Sequence, residues 1–215
     1  NKPLKWTSFQ VVNKIRWAIR KEFDIKKIKV GHAGTLDPLA TGLMLICTGR
    51  MTKQIEQFMG MNKTYTGTFR LGATTPSYDL ETTVGASKPT DHINAKMLAE
   101  VSAGFLGNIQ QKPPLHSAIK KDGKRLYTLA RAGKTTDIPS REVLIASFEL
   151  TEINIPNVDF SVSCSKGTYI RSLAHDFGQK LGCGAHLTSL KRTAIGNYQL
   201  TEALTLDGFL NSLKK

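Results

Sequence analysis

Cysteine is scarce in this sequence: the chain has 3 in 215 residues, at positions 47, 164 and 183, and none in a Cys-x-x-Cys pair. An odd and widely spaced set excludes a disulfide framework and is typical of a reducing compartment. It also lacks the paired spacing of a zinc site, so we predict no metal. The sparse cysteines predict a cytoplasmic protein, and because no apolar run approaches the ~20 residues that span a bilayer, we predict that it is not embedded in a membrane.

Acidic residues are also few, with 17 Asp and Glu against 30 Lys and Arg and a formal net charge of +13. Such an excess favours a polyanionic partner, most often a nucleic acid and less often an anionic membrane surface. The alternative is a basic protein that has no polyanionic partner. The phosphate-loop signature and the dinucleotide fingerprint are both missing. We therefore expect no nucleotide cofactor.

The segment 31–42, with the sequence GHAGTLDPLATG, contains three of its glycines within twelve residues next to a single carboxylate, Asp37. Pro38 disfavours helical geometry at Asp37 and places it on a loop or turn. Two interpretations stay open on spacing alone. Asp37 caps a short turn that has Pro38 at its first position, or it is a catalytic carboxylate on a glycine-rich loop.

Periodicity predicts a mixed α+β fold in which helices flank a mainly antiparallel central sheet. Apolar spacing after Thr7 and Ser8 predicts a helix to about Glu22, and alternation predicts strands elsewhere. The predicted strands are 25–30, 43–47, 64–71, a hairpin of 143–155 with 158–165, and 187–195. Among the later helices, one begins near Gly167 and ends at Gly182.

Residues 108–140 are extended and basic around the sequence KKDGKR, in which Lys120, Lys121, Lys124 and Arg125 flank a turn. A mobile arm that clamps a phosphate backbone would need such cations. A solvated surface loop is the alternative, because charge runs usually are solvated. The length of the segment favours a functional arm.

Arg171 falls in the first turn of a predicted helix, where a cation opposes the helix dipole. Its position indicates a nearby carboxylate or phosphate. A lone loop carboxylate does not fit standard glycoside hydrolysis, which uses two. It does fit nucleophilic or proton-transfer chemistry in which an arginine keeps the carboxylate ionised. Tyr65, at the start of a strand, is by itself an ordinary packing residue.

Six segments in order resemble the motifs of bacterial tRNA pseudouridine-55 synthases, the TruB family, over nearly the whole chain. They are Lys2-Pro3 with Thr7-Ser8, the Gly31–Gly42 segment, Lys63-Thr64-Tyr65, the segment 111–133, the segment 165–171, and Gly184-Ala185-His186-Leu187 with Leu190-Lys191-Arg192. The resemblance implies the pseudouridine synthase fold and isomerisation of uridine to pseudouridine at position 55 in the T arm of tRNA, without cofactor or metal.

The resemblance also implies residue roles. Asp37 would be the catalytic carboxylate, and Arg171 would pair with it. Tyr65 would stack on the target base. Leu190 would line the pocket that holds this base, and Tyr169 would lie near it. His32 would fill the space left by the flipped nucleotide. The contacts to the RNA backbone would come from Lys120, Lys121, Lys124, Arg125, Lys191 and Arg192.

The chain departs from the family pattern at two places. Lys5 stands where the first motif usually has glycine, and the segment 75–79, TPSYD, replaces the usual Thr-Asp-Thr run. We expect one catalytic domain over residues 1–215, with an RNA-binding thumb at about 108–140 and without a C-terminal PUA domain. We also expect a monomer that needs no guide RNA. The competing hypotheses are a non-catalytic RNA-binding protein or tRNA-folding chaperone, and a guide-dependent or mRNA-modifying relative.

Overall fold

A computed structural model describes residues 1–117, 119–121, 123–134 and 136–214. The helices are α1 (Ser8–Glu22), α2 (Ile55–Gly60), α3 (Ala95–Ala103), α4 (Leu126–Arg131), α5 (Ile170–Lys180) and α6 (Leu206–Ser212). The strands are β1 (Val30–His32), β2 (Ala40–Gly42), β3 (Ile46–Thr48), β4 (Lys63–Leu71), β5 (Gly107–Gln111), β6 (Lys120–Lys121), β7 (Lys124–Arg125), β8 (Arg141–Asn154), β9 (Asn157–Cys164), β10 (Ala185–Ile195) and β11 (Tyr198–Gln199). Short 3₁₀ turns cover Gly49–Gln54 and Leu200–Glu202.

The chain forms two compact units, residues 1–66 with 190–215 and residues 67–189. Strands β4 and β10 contribute residues to both. In the first unit the strand order is β11-β10-β4, β2 pairs with β10 in parallel, and β1 pairs with β3 antiparallel. A small core of Ala33, Cys47 and Phe58 lies beneath these strands.

In the second unit the strand order is β10-β4-β9-β8-β5, and β8 pairs antiparallel with both β9 and β5. Alternation along β4 and β9 turns Phe69 and Phe160 inward, where their rings stack at 4.1 Å. Phe177 of α5 packs 5.6 Å from Phe69, so α5 covers this face of the sheet. The predicted α+β class, with a mainly antiparallel sheet and flanking helices, is confirmed.

Several predicted elements are confirmed and two are wrong. The helix after Thr7 and the long hairpin lie where periodicity placed them. The predicted strand 25–30 is wrong, since only Val30 belongs to a strand, β1. The predicted strand 43–47 is also misplaced, because the segment bridges β2 and β3. These strands have three residues each, too few for an alternation pattern to locate.

The three cysteines are buried free thiols. Within the described ranges no helix is both long and apolar enough to cross a bilayer.

Candidate active site

The loop that carries Asp37 is held by main-chain contacts on both sides. The hydroxyl of Ser8 accepts from the amide of Leu36 at 2.9 Å and donates to its carbonyl at 3.1 Å. On the other side, the Pro38 carbonyl accepts from the amide of Lys5 at 2.8 Å. The Asp37 carbonyl accepts from the amide of Ala40 at 3.1 Å, which closes a turn over Pro38. The half-buried Asp37 therefore sits on a turn whose neighbours are fixed.

Lys2 is a buried cation beside this loop. Its ammonium donates to the carbonyls of Pro3 at 2.9 Å, Trp6 at 2.6 Å and Pro38 at 3.3 Å. Burial lowers the pKa of Lys2 to about 8, and the charge of Asp37 opposes that shift. Lys2 therefore contributes positive charge near the carboxylate, and three acceptors fix its position.

Lys5 adopts a φ of 65°, the left-handed region that glycine favours. Lys5 thus takes a backbone conformation that glycine would adopt without penalty, at a cost of about 1 kcal/mol in backbone strain.

Strand β10 supports both ends of the Gly31–Gly42 segment through Arg192. Its Nε donates to the Leu43 carbonyl at 2.7 Å and its Nη2 to the Gly34 carbonyl at 3.0 Å. Arg192 is 1% exposed. The prediction that Arg192 contacts the RNA backbone is therefore wrong. Its guanidinium is buried and donates to the carbonyls of the loop.

Gly42 is required where β2 meets β10. Its φ is +106°, and a Cβ there would lie 2.3 Å from the Arg192 carbonyl oxygen and 2.7 Å from the Arg192 nitrogen. Any side chain would separate the two strands and release the loop that they hold.

His32, at the end of β1, lies opposite Ile46 of β3. Burial and then the charge of Arg192 lower the pKa of His32, while a backbone hydrogen bond at Gly34 raises it. These surroundings favour the neutral form of the imidazole. A neutral, half-buried ring is suited to packing against nucleic-acid bases.

The other predicted residues of the first unit lie on β4 and β10. Tyr65 is buried on β4, Leu190 is half-exposed on β10, and Lys191 beside it is exposed. Lys63, which precedes Tyr65 by two residues, is buried, and its ammonium donates to the carbonyls of Met59 and Met61 at 2.6 Å each.

Arg171 belongs to the second unit, together with a carboxylate that sequence reasoning missed. Its Nε lies 3.7 Å from Oδ2 of Asp79. Its Nη1 donates to the carbonyls of Ser77 at 3.1 Å and His116 at 3.0 Å. The prediction of a carboxylate near this helix N-terminus is confirmed. The only signal for Asp79 in the sequence is the departure at residues 75–79, and spacing does not assign it a role.

The loop with Asp79 is itself fixed. The Asp79 carbonyl accepts from the hydroxyls of Thr75 at 2.6 Å and Ser77 at 3.1 Å. Tyr78, with a φ of 65°, stacks on His175 with ring centroids 4.0 Å apart. His175 lies one turn after Arg171, so the loop and α5 are joined at two points.

Tyr169 precedes Arg171 and connects α5 to the start of the thumb segment. The buried side-chain amide of Gln111 accepts from the Tyr169 amide at 2.8 Å and donates to its carbonyl at 3.1 Å. The guanidinium of Arg141 lies 4.7 Å from the centroid of the Tyr169 ring.

The thumb contains a two-strand ladder, with Lys120 opposite Arg125 and Lys121 opposite Lys124, followed by α4. The predicted phosphate contacts of Lys120, Lys121, Lys124 and Arg125 concern side chains outside the described part of the structure. Among the described residues, no group of three or more His, Cys, Asp or Glu is placed to hold a metal ion.

Comparison with known families decides where this arrangement belongs. Residues 20–170 match the N-terminal domain of TruB family pseudouridylate synthases, and residues 171–215 match the C-terminal domain of tRNA pseudouridylate synthase B. The chain belongs to the TruB family.

Relatives within the TruB family cover the whole chain. A tRNA pseudouridine synthase B from Flavobacterium johnsoniae is 56% identical over 100% of this chain and 94% of its own length. One from Chloroherpeton thalassium is 47% identical over 100% of this chain and 89% of its own. Among solved structures, a chain of a Cbf5-Nop10-Gar1 complex is 29% identical with a TM-score of 0.71, over 98% of this chain and 52% of that one. The present chain thus spans about half the length of that neighbour.

Proposed function

We propose that this protein isomerises uridine 55 to pseudouridine in the T arm of tRNA, acting as a stand-alone enzyme without guide RNA or cofactor. The two curated relatives that it matches over 94% and 89% of their length carry the name tRNA pseudouridine synthase B. The observation that carries the proposal is the loop of Asp37, whose neighbours on each side are fixed by Ser8, Lys2 and Lys5.

The reaction balances within the nucleotide. The C1′–N1 bond breaks, the base turns while bound, and C1′ bonds to C5; the proton on C5 leaves and N1 gains one. An ionised Asp37 serves either route, by attacking C1′ or by removing the 2′ proton. Its fixed main chain reduces the reorganisation needed to reach the sugar.

Arg171 is proposed to pair with Asp37 and keep it ionised. Asp79 neutralises and orients the arginine. Tyr65 stacks on the target base, Leu190 and Tyr169 complete the pocket, and His32 fills the space that the flipped nucleotide leaves, which lowers the unstacking cost of a few kcal/mol.

The basic side chains of the thumb, with the exposed Lys191, are proposed to bind the RNA backbone. Their cations would release counterions from the RNA, so affinity for tRNA should fall steeply with salt.

The test of stand-alone function uses an isolated T-arm stem-loop carrying tritium at C5 of uridine 55, incubated with the purified protein alone. Release of tritium to water is expected, because forming C1′–C5 expels that proton. A T-arm with cytidine at position 55 and tritium at C5 of its other uridines controls for release from those positions. Reaction only after addition of a guide RNA and its proteins would contradict the proposal, and binding without any release would support the chaperone hypothesis.

A further inference from the structure

The outer face of α1 carries an exposed tryptophan between two lysines. Trp17 is 56% exposed, and the ammonium groups of Lys14 and Lys21 each lie 5.2 Å from the centroid of its ring. Lys14 lies three residues before Trp17 and Lys21 four after, so helical spacing brings both to the indole. Neither lysine forms an ion pair with a carboxylate in the described ranges.

A groove of about 380 Å³ opens beside this tryptophan, between α1 and α6. We call it the α1–α6 groove. Its lining includes Trp17, the cations Lys14 and Lys21, the carboxylates Glu22 and Asp207, and apolar side chains of both helices. A flat aromatic wall thus stands next to cations and hydrogen-bond acceptors.

The surrounding surface is the most basic stretch of the first unit. Residues 13–29 include seven Lys and Arg against two acidic residues, which is +5 of the chain's +13. Residues 20–27 are all exposed. The field at the groove therefore attracts a polyanion.

We propose that the α1–α6 groove is a second RNA-contact site, which takes one unstacked nucleotide with its base on Trp17 and its phosphate at Lys14 and Lys21. Base stacking on an exposed aromatic ring beside a basic surface is how single-stranded nucleic acid is bound without sequence preference. The inference rests on the proposed function, because tRNA is the polyanion that this protein would meet.

An anionic membrane fits the groove less well. A tryptophan that enters a lipid interface needs a continuous apolar surface around it, whereas six of the ten side chains that line this groove are charged or polar. Glu22 and Asp207 repel phosphates of either kind, and the ribose hydroxyls of RNA can donate hydrogen bonds to these two carboxylates.

The groove is separate from the catalytic loop. Ser8, at the first residue of α1, contacts Leu36 next to Asp37. With a rise of 1.5 Å per residue, Trp17 lies about 14 Å further along the helix axis. The nucleotide in the groove is therefore not the target, and its loss should raise KM for tRNA and leave kcat unchanged.

The first experiment measures tRNA affinity across a salt series. Trp17→Ala should raise Kd fivefold or more, and Trp17→Phe should restore most of the loss, because a phenyl ring also stacks. Lys14→Ala with Lys21→Ala should reduce the slope of log K against log[salt] by about 2. The matched control, Lys88→Ala with Lys96→Ala, removes two exposed lysines of the second unit and should change the slope little.

The second experiment observes Trp17 directly. The chain has 2 tryptophans, so Trp6→Phe leaves Trp17 as the single indole. Saturating tRNA should quench its emission, whereas vesicles of phosphatidylcholine and phosphatidylglycerol should not change it. Unchanged emission with tRNA, a blue shift with vesicles alone, or unaltered affinity and salt slope in the variants would overturn the groove proposal. If the wild type forms pseudouridine in any of these cases, the proposed function stands and the groove alone fails.

Discussion

The guanidinium Nε of Arg171 lies 3.7 Å from Oδ2 of Asp79, and the two side chains are only 4% and 6% exposed. A cation in the first turn of a helix is unfavourable unless an anion compensates it. Asp79 provides that compensation, and its Oδ1 accepts from the Glu81 amide at 3.0 Å. The pair therefore fixes the position of the arginine, for which we propose a role beside Asp37.

Replacing Asp79 should reduce both stability and catalysis. Asp79→Asn removes a buried counter-charge of the arginine, and breaking a buried pair costs about 3–5 kcal/mol. Thermal unfolding should show a lower Tm, and kcat on T-arm RNA should fall at least tenfold. Asp91→Asn removes an exposed carboxylate of the same unit and is the control. Full kcat in Asp79→Asn would contradict the orienting role.

Lys2 should give stability a specific pH dependence. Its pKa is about 8 in the folded protein against 10.5 when unfolded, so the unfolded state binds more protons between these values. The cost of burying its charge is present in full below pH 8 and is relieved as pH rises toward 10.5. Over this window, the free energy of unfolding of the wild type should rise by about 3 kcal/mol relative to Lys2→Met.

Urea unfolding at several pH values measures that difference. Lys96→Met is the control, because Lys96 has an 86% exposed side chain and its difference from wild type should stay flat. A flat difference for Lys2→Met as well would show that Lys2 titrates normally.

Gly42→Ala should disrupt the site through the backbone. The added Cβ would lie 2.3 Å from the Arg192 carbonyl oxygen, where only displacement of β2 from β10 can relieve the clash. We expect a loss of more than 3 kcal/mol of stability and loss of pseudouridine formation. Gly60→Ala, where a Cβ meets nothing within 4 Å, should leave both measurements near wild type.

Much of the fold follows from local patterns. Helix α1 has its N-cap at Thr7, with the capping box completed by Gln10, and α5 buries Ile170, Leu173 and Phe177 at helical spacing. The hairpin of β8 and β9 follows from two long alternating segments. In each case the repeat is long enough for periodicity to define the element.

The site was less accessible to sequence reasoning, for two physical reasons. Strands β1, β2 and β3 have three residues each, so their pairing depends on partners distant in the chain. The roles of Arg192 and Asp79 depend on burial, which residue type does not reveal. From the sequence, Arg192 is predicted to contact phosphate because the protein is basic. The structure shows that it donates instead to the carbonyls of Gly34 and Leu43.

The central claim is that Asp37 performs the chemistry and is not simply a turn residue. The most direct measurement compares wild type with Asp37→Asn on the same T-arm RNA, following both binding and pseudouridine formation. The amide keeps the size of the side chain and cannot act as the ionised nucleophile or base. The account predicts that Asp37→Asn binds the RNA with a Kd within a few-fold of wild type and forms no detectable pseudouridine. Pseudouridine formation by Asp37→Asn at a rate near that of the wild type would contradict it.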